Sequence, residues 1–131
     1  MCGVSGVYTC ADSNSAEYQV KKMLVAMQHR GPDDNDILVV SKKISVVLGQ
    51  TRLSIIDLRP EARQPMTDPL TGNVIVFNGE IYNFQEIRKE LEKKGYRFIS
   101  RSDTEVILYA YSEWREECVK KLRGIFAFAI W

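Results

Sequence analysis

The chain has 131 residues, of which 45% are hydrophobic and 27% charged, and its formal net charge is +1. These values are typical of one soluble globular domain that can bury a core without metals or disulfides. Acidic and basic residues are interspersed, so no basic stripe indicates a nucleic-acid partner, and no apolar run is long enough to span a membrane. With three cysteines, one histidine and no C-x-x-C pair, the sequence favours a reducing, cytoplasmic setting and predicts no metal site.

The order of apolar segments predicts strands interleaved with three helices, in a mixed α and β domain with long antiparallel pairing. Strands are expected where β-branched and aromatic residues cluster. In chain order these segments are "GVSGVYT", "DILVV", "ISVVLGQTRLSII", "NVIVFN", "YRFIS" and "IFAFAIW".

Each predicted helix begins with a residue that can cap it and has a glutamate three residues later, which is the pattern of a capping box. The pairs are Asn14 with Glu17, Asn83 with Glu86, and Ser102 with Glu105. The segment "HRGPDD" ends the first helix and Gly95 ends the second. The expected apolar faces comprise Val20, Met23, Leu24 and Met27, then Phe84, Ile87 and Leu91, then Val106, Ile107, Ala110, Tyr111 and Trp114.

The segment "LRGIFAFAIW" is an almost unbroken apolar strand at the end of the sequence. Such a strand is normally buried between neighbours. The chain therefore reads as a fragment of a longer protein, and we expect its last strand to form an exposed apolar edge. That edge predicts self-association or a swapped dimer.

The second residue, Cys2, directly precedes the first predicted strand. A buried structural cysteine is the simpler interpretation of its position. A strand that begins so early would also fix Cys2 as a nucleophile. If Met1 is removed, the free α-amine of Cys2 can act as the base for its own thiol, because its pKa is about 8. A Met1 that stays attached would remove that base.

The segment "VIVFNGEIYN" carries a second candidate. Asn-Gly between two strand-like runs is a common hairpin turn. The alternative is an oxyanion hole, in which the side-chain amide of Asn78 and the backbone N–H of Gly79 donate to one acyl oxygen.

Two charged residues each allow a structural and a functional interpretation. Arg52 interrupts an apolar run, where it would pair with an acid such as Asp57 or bind a substrate carboxylate with its two-pronged guanidinium. Asp103 would stabilise a helix start or hold an ammonium group. His29 and Arg30, before Gly-Pro, are expected to be structural. Together with Cys2, these candidates describe a site for an α-amino acid that carries a side-chain amide.

The chain resembles the N-terminal glutaminase domain of glutamine-dependent asparagine synthetases, and the matching segments occur in that family's order. They are "MCGVSG", "HRGPDD", "TRLSIIDL", "QPM", "VFNGEIYNF", "SDTEVIL" and "LRGIFAFAIW". The resemblance implies an α+β class II amidotransferase domain over residues 1–131 with the N-terminal-nucleophile hydrolase fold. That fold is two antiparallel sheets between helix layers, here truncated at its C-terminal side.

In the family, Met1 is removed and Cys2 attacks the amide of L-glutamine, which releases ammonia and leaves a thioester that water converts to glutamate. The resemblance makes Cys2 the nucleophile, with Asn78 and Gly79 as the oxyanion hole. It assigns glutamine binding to Arg52, Leu53, Ser54, Ile55, Ile56, Asn78, Gly79, Glu80 and Asp103. The glutaminase step needs no cofactor or metal. ATP and magnesium belong to a synthetase domain, absent from this chain, that uses the ammonia to make asparagine from aspartate.

One departure and two alternatives remain open. Position 50 is Gln50 where the family commonly has histidine, which leaves the hydrogen bonding around Arg52 undecided. The same glutaminase half occurs in amide ligases with sugar or peptide acceptors, whereas the phosphoribosylamine and glucosamine-phosphate branches usually carry Trp-Ala after the pocket arginine. A non-catalytic interaction module is disfavoured because Cys2 and the Asn78–Gly79 pair are intact.

Overall fold

The structure is a computed structural model that describes residues 2–53 and 60–131. Its strands are β1 (Gly3–Thr9), β2 (Asp34–Ser41), β3 (Ser45–Arg52), β4 (Met66–Thr67), β5 (Val74–Ile81) and β6 (Gly124–Ile130). Its α-helices are α1 (Ser13–Ala26), α2 (Phe84–Lys93) and α3 (Asp103–Trp114). Short 3₁₀ turns cover Gln28–Arg30, Pro60–Ala62 and Arg115–Lys121.

The strands form two antiparallel sheets that pack face to face. The first sheet has the order β1-β3-β2 and the second has the order β4-β5-β6. Helix α1 packs on the outer face of the first sheet, and α2 and α3 cover the outer face of the second. This helix–sheet–sheet–helix arrangement confirms the predicted α+β fold.

The alternation of side chains along the two central strands explains the three clusters of the core. Val47 of β3 packs against α1, whereas Leu48 points to the second sheet, where it meets Val74 and Val76 of β5. Ile75 of β5 points the other way, into the cluster formed with α2 and α3. Strand β3 is therefore buried on both faces, and its buried residues include the polar Gln50 and Thr51 as well as the apolar Val46, Val47 and Leu48.

Two of the predicted helix caps are wrong in detail. Asp12, not Asn14, accepts hydrogen bonds from the first turn of α1, and Glu17 instead pairs with Lys21. Asn83 does stand before α2, but its side chain bonds to the backbone of Lys121 and Arg123 beside β6. A distant backbone segment thus takes the polar group that the local pattern assigns to a cap.

The third cap is confirmed, because Ser102 accepts a hydrogen bond from the N–H of Glu105. The predicted apolar faces of the helices are confirmed with one exception, Met23, which is 41% exposed. The apolar faces of α2 and α3 pack as predicted. Their buried residues belong to the same hydrophobic core cluster, on the outer face of the second sheet.

The segment "YRFIS" is not a strand. The N–H groups of Ile99 and Ser100 donate to the carboxylate of Glu105, at 2.9 and 2.7 Å, in place of a neighbouring strand. Phe98 packs against the ring of Tyr109. The apolar residues of this segment are thus used to hold a loop on α3.

Asn78 and Gly79 lie inside a strand rather than in a hairpin turn. They face Ala127 and Phe126 of β6 in the antiparallel register. Gly79 has φ +147°, and a Cβ there would collide with the carbonyl of Ile125 and with the Cα of Phe126. Glycine is therefore required at position 79 for both reasons.

Strand β6 forms one edge of the second sheet in the described part of the chain. It pairs with β5 on one side. Ile125 is 72% exposed and Trp131 is 46% exposed. This matches the exposed apolar edge expected from the sequence.

Candidate functional site

Cys2 is fixed by the pairing of β1 with β3. Gly3 lies opposite Thr51, and its N–H donates to the Thr51 hydroxyl at 3.0 Å. The half-buried thiol of Cys2 donates to the carbonyl of Leu53 at 3.7 Å, and the N–H of Leu53 donates to the same sulfur at 3.4 Å. These two contacts fix the position of the Cys2 sulfur beside the backbone of Leu53.

The turn after α1 approaches both Cys2 and Arg52. Arg30 donates from Nε to the carbonyl oxygen of Cys2 at 3.2 Å, and the N–H of Asp33 donates to the carbonyl of Arg52 at 3.1 Å. A Cβ at Gly31 would lie 2.5 Å from the Arg52 nitrogen, so the turn fits here only with glycine. The sequence identified "HRGPDD" as a helix stop and missed that Arg30 contacts the backbone of Cys2.

Alternation along the strands places the predicted site residues in the space between the sheets. Arg52 follows Leu48 by four residues on β3, and Asn78 follows Val74 by four residues on β5. Side chains two and four residues apart share a face, so both lie on the inner faces of their sheets. Cys2 lies two residues before Val4 and therefore shares its face, and Val4 also packs between the sheets. One end of the sandwich therefore collects Cys2, Arg52 and Asn78.

Arg52 also borders a polar pocket at this end. The other residues of the pocket are Asp34, Asn35, Asp36, Gln50 and Gln64. Ser54, Ile55 and Ile56, which the sequence assigned to glutamine binding, lie outside the described residues, as does Asp57, the suggested ion partner of Arg52.

The structure shows the hydrogen bond that the side chain of Gln50 makes. Its side-chain amide donates from Nε2 to the carbonyl of Phe77 at 2.9 Å and so connects the two sheets directly before Asn78. The N–H of Phe77 donates to Oε1 of Gln64 at 2.6 Å. Gln64 was absent from the predicted site, since its only signal in the sequence is its place in "QPM".

Asp103 begins α3 and is buried beside the end of β5. Its Oδ2 accepts a hydrogen bond from the N–H of Ile81 at 3.1 Å. Burial raises the pKa of Asp103 above its ordinary value, and the nearby charge of Glu80 adds to that increase. Glu80 itself is exposed. The carboxylates of Asp103 and Glu80 thus lie at the same end of β5.

The described residues show neither a group of side chains suited to a metal ion nor a membrane-spanning helix. No group of three or more His, Cys, Asp or Glu side chains within 2–53 and 60–131 is arranged to hold a metal ion. No helix in that part of the chain is long and apolar enough to cross a membrane.

The fold and the cysteine at the start of its first strand define a class: the N-terminal-nucleophile sandwich. A family model described as a glutamine amidotransferase domain matches residues 1–131. The chain belongs to this family, as a class II glutamine amidotransferase domain similar to the N-terminal domains of asparagine synthetases.

Several curated proteins are similar in sequence to this chain over its whole length. The chain is 44% identical to asparagine synthetase (glutamine-hydrolysing) 1 of Bacillus subtilis, covering 100% of this chain and 21% of that protein. It is 37% identical to asparagine synthetase B of Escherichia coli, covering 100% of this chain and 23% of the relative. The chain thus spans about a fifth of the length of these relatives.

A solved structure supports the fold independently. The glutamine phosphoribosylpyrophosphate amidotransferase of B. subtilis, complexed with ADP and GMP, superposes with a TM-score of 0.80 at 20% identity. The match covers 100% of this chain and 35% of the solved chain.

Proposed function

We propose that this domain hydrolyses L-glutamine to glutamate and ammonia, with Cys2 as the nucleophile. The observation that carries the proposal is the placement of the Cys2 sulfur 3.4 Å from the N–H of Leu53. That contact lies next to Arg52, which is the last residue of the strand that faces Asn78. The family match supports glutamine as the substrate.

The chemistry follows from these groups. The free α-amine of Cys2 takes the thiol proton, and the sulfur attacks the amide carbon of glutamine. Asn78 Nδ2 and the N–H of Gly79 stabilise the oxyanion that forms. The carbon–nitrogen bond then breaks, ammonia leaves with the proton held by the amine, and a thioester remains. Water, deprotonated by the same amine, attacks the thioester and releases glutamate.

Substrate binding uses charges at both ends of the amino acid. The guanidinium of Arg52 binds the α-carboxylate in a bidentate manner. Asp103 and Glu80 hold the α-ammonium, and the backbone of Leu53 lines the pocket. Neither a cofactor nor a metal takes part in this step.

The ammonia is proposed to be consumed in another domain of a longer protein. The asparagine synthetases named above support aspartate as the acceptor, in an ATP- and magnesium-dependent step outside this chain. An acceptor of another kind, such as a sugar or a peptide, would use the same glutaminase half.

A direct assay tests the proposed reaction. The chain freed of Met1 is expected to release glutamate and ammonia in equal amounts from L-glutamine. Cys2→Ala removes the nucleophile and is expected to abolish release. Glutamate release that persists in Cys2→Ala would contradict the proposal.

Asp103 gives a prediction that depends on pH. Asp103→Asn is expected to raise KM for glutamine about 30-fold, since losing one partner of a buried charge pair costs about 2 kcal/mol. The wild-type KM should rise as pH falls through the raised pKa of Asp103, because protonation removes the charge that binds the ammonium. Measured KM between pH 4 and 8 provides the check.

The control for Asp103 is the exposed carboxylate. Glu80→Gln should raise KM only about threefold, since exposed charge pairs contribute little. Folding raises the pKa of Asp103, so the free energy of unfolding should fall as pH rises through that pKa, and Asp103→Asn should remove this dependence. An unchanged KM in Asp103→Asn would count against its role.

We propose that β6 pairs with a second copy of the chain. Unpaired strand edges with exposed apolar side chains favour association. Sedimentation of the chain should show a concentration-dependent dimer, which Ile125→Lys is expected to disperse. Val25→Lys is the matched control, because Val25 is 73% exposed on α1 and Ile125 is 72% exposed on β6. A monomer at high concentration would contradict the pairing.

A further inference from the structure

We propose that Gln50 and Gln64 are positioning residues for glutamine hydrolysis, which fix the backbone of Phe77 and thereby aim Asn78 and Gly79 at the acyl oxygen. This inference rests on the proposed glutaminase function. It gives a role to Gln50, whose consequence the sequence left undecided, and to Gln64, which the sequence missed.

The edge of β5 that faces β4 is covered by that strand over only two residues. Val74 exchanges backbone hydrogen bonds with Trp131 on the opposite side. Backbone groups alternate in direction along an antiparallel strand, so Ile75, Phe77, Gly79 and Ile81 direct theirs toward the β4 side. Strand β4 covers this edge only as far as Ile75, which pairs with Met66.

Side chains continue the edge where β4 has ended. The N–H of Phe77 donates to Gln64, and its carbonyl accepts from Gln50. The N–H of Ile81 donates to Asp103. Gly79 lies in the same row between Phe77 and Ile81, so the backbone on both sides of its N–H is held in place.

The carbonyl that Gln50 binds belongs to the same peptide group as the N–H of Asn78. Peptide groups are planar, so holding this oxygen sets the orientation from which the Asn78 side chain departs. Gln50 is 1% exposed and Gln64 is 9% exposed. Buried amides are costly unless they are bonded, which makes alternative rotamers of both side chains unfavourable.

The two amides also connect the three parts of the proposed substrate site. Gln50 lies two residues before Arg52 on β3, and it binds β5 directly before Asn78. Gln64 donates from Nε2 to the hydroxyl of Thr104 at 3.1 Å, next to Asp103 at the start of α3. The groups for the carboxylate, the acyl oxygen and the ammonium are thus coupled through Phe77.

The test substitutes the donor on β3. Gln50→Met keeps the length of the side chain and removes its N–H. We expect kcat for glutamine hydrolysis to fall about tenfold, less than the loss when an oxyanion donor itself is removed, with KM changed less than about threefold. Gln50→His restores an N–H donor at this position and is expected to recover most of kcat.

An aldehyde analogue of glutamine separates positioning from general damage. It forms a tetrahedral adduct with Cys2 that needs the oxyanion donors. Its inhibition constant in Gln50→Met should rise by the factor by which kcat/KM falls, as for any mimic of the transition state. Product inhibition by glutamate, which reports ground-state binding, should stay unchanged.

Ser45→Ala is the matched control. Ser45 is a buried residue at the other end of β3 whose hydroxyl donates to the carbonyl of Ala11. This variant loses a comparable side-chain-to-backbone bond and should keep the wild-type kcat.

Three results would overturn the positioning role. They are an unchanged kcat in Gln50→Met, a rise of KM as large as the loss of kcat, and a loss that Gln50→His does not recover. If Gln50→Met does not fold, Gln64→Met carries the same test. Loss of folding in both variants would make the amides structural and also overturn the proposal. An inactive wild-type chain without Met1 would instead reject the glutaminase function itself.

Discussion

A chain that retains Met1 is expected to hydrolyse glutamine about 10³-fold more slowly than a chain that begins at Cys2, since a positioned general base contributes about 10² to 10⁴. The peptide bond to Met1 converts the α-amine of Cys2 into an amide, which cannot accept the thiol proton. The one histidine of the sequence, His29, is exposed in the turn after α1. Initial rates of the two forms, identified by intact mass, measure the effect.

The two forms should differ in chemistry and not in stability. The described pairing of β1 with β3 begins at Gly3, which lies opposite Thr51. We therefore expect equal midpoints of denaturant unfolding for the two forms, which serves as the control. Turnover by the Met1 form at a rate near that of the processed form would contradict the role of the amine.

Asn78→Ala is expected to lower kcat about 10²- to 10³-fold while KM for glutamine changes only a few-fold, as when one oxyanion donor is removed from other enzymes. In the proposed mechanism, the amide of Asn78 binds the acyl oxygen most strongly once that oxygen has become negative. Steady-state kinetics separates the two parameters.

Asn78→Asp sharpens the same test. It keeps the shape of the side chain but places an acceptor where the donor stood, so kcat should fall at least as far as in Asn78→Ala. Since Asn78 is only half-buried, both variants should unfold close to the wild-type midpoint. A rise in KM with an unchanged kcat would show that Asn78 binds the ground state instead.

Most strands and helices could be predicted from the sequence because their apolar patterns are long. Strand β5 is the clearest case, since its first four residues, "VIVF", are apolar and are buried on both faces of the sheet. The wrong predictions occur where a side chain forms a hydrogen bond that the local sequence pattern does not indicate. Asn83 reaches the backbone of Arg123 instead of capping α2, and Glu105 holds the loop at Ile99 that reads as a strand.

The reacting groups of the site could be proposed from residue type, but their supports could not. Cys2, Arg52 and Asn78 could be proposed because they lie in short motifs whose residue types suit the proposed reaction. Arg30 and Gln64 act through backbone groups that are 28 and 13 residues away along the chain. A single sequence contains no periodic signal for such contacts, which arise only when the sheets pack.

The most direct test of the account is the reaction of the chain without Met1 with an electrophilic glutamine analogue, followed by peptide masses. Cys2 should carry the adduct, and L-glutamine should protect it. Cys10 is an exposed thiol on the same chain and should stay unmodified, as should the buried Cys118, whose pKa is raised by burial. A folded chain that begins at Cys2 and leaves that thiol unmodified, or modifies Cys10 equally, would contradict the assignment of Cys2 as the nucleophile.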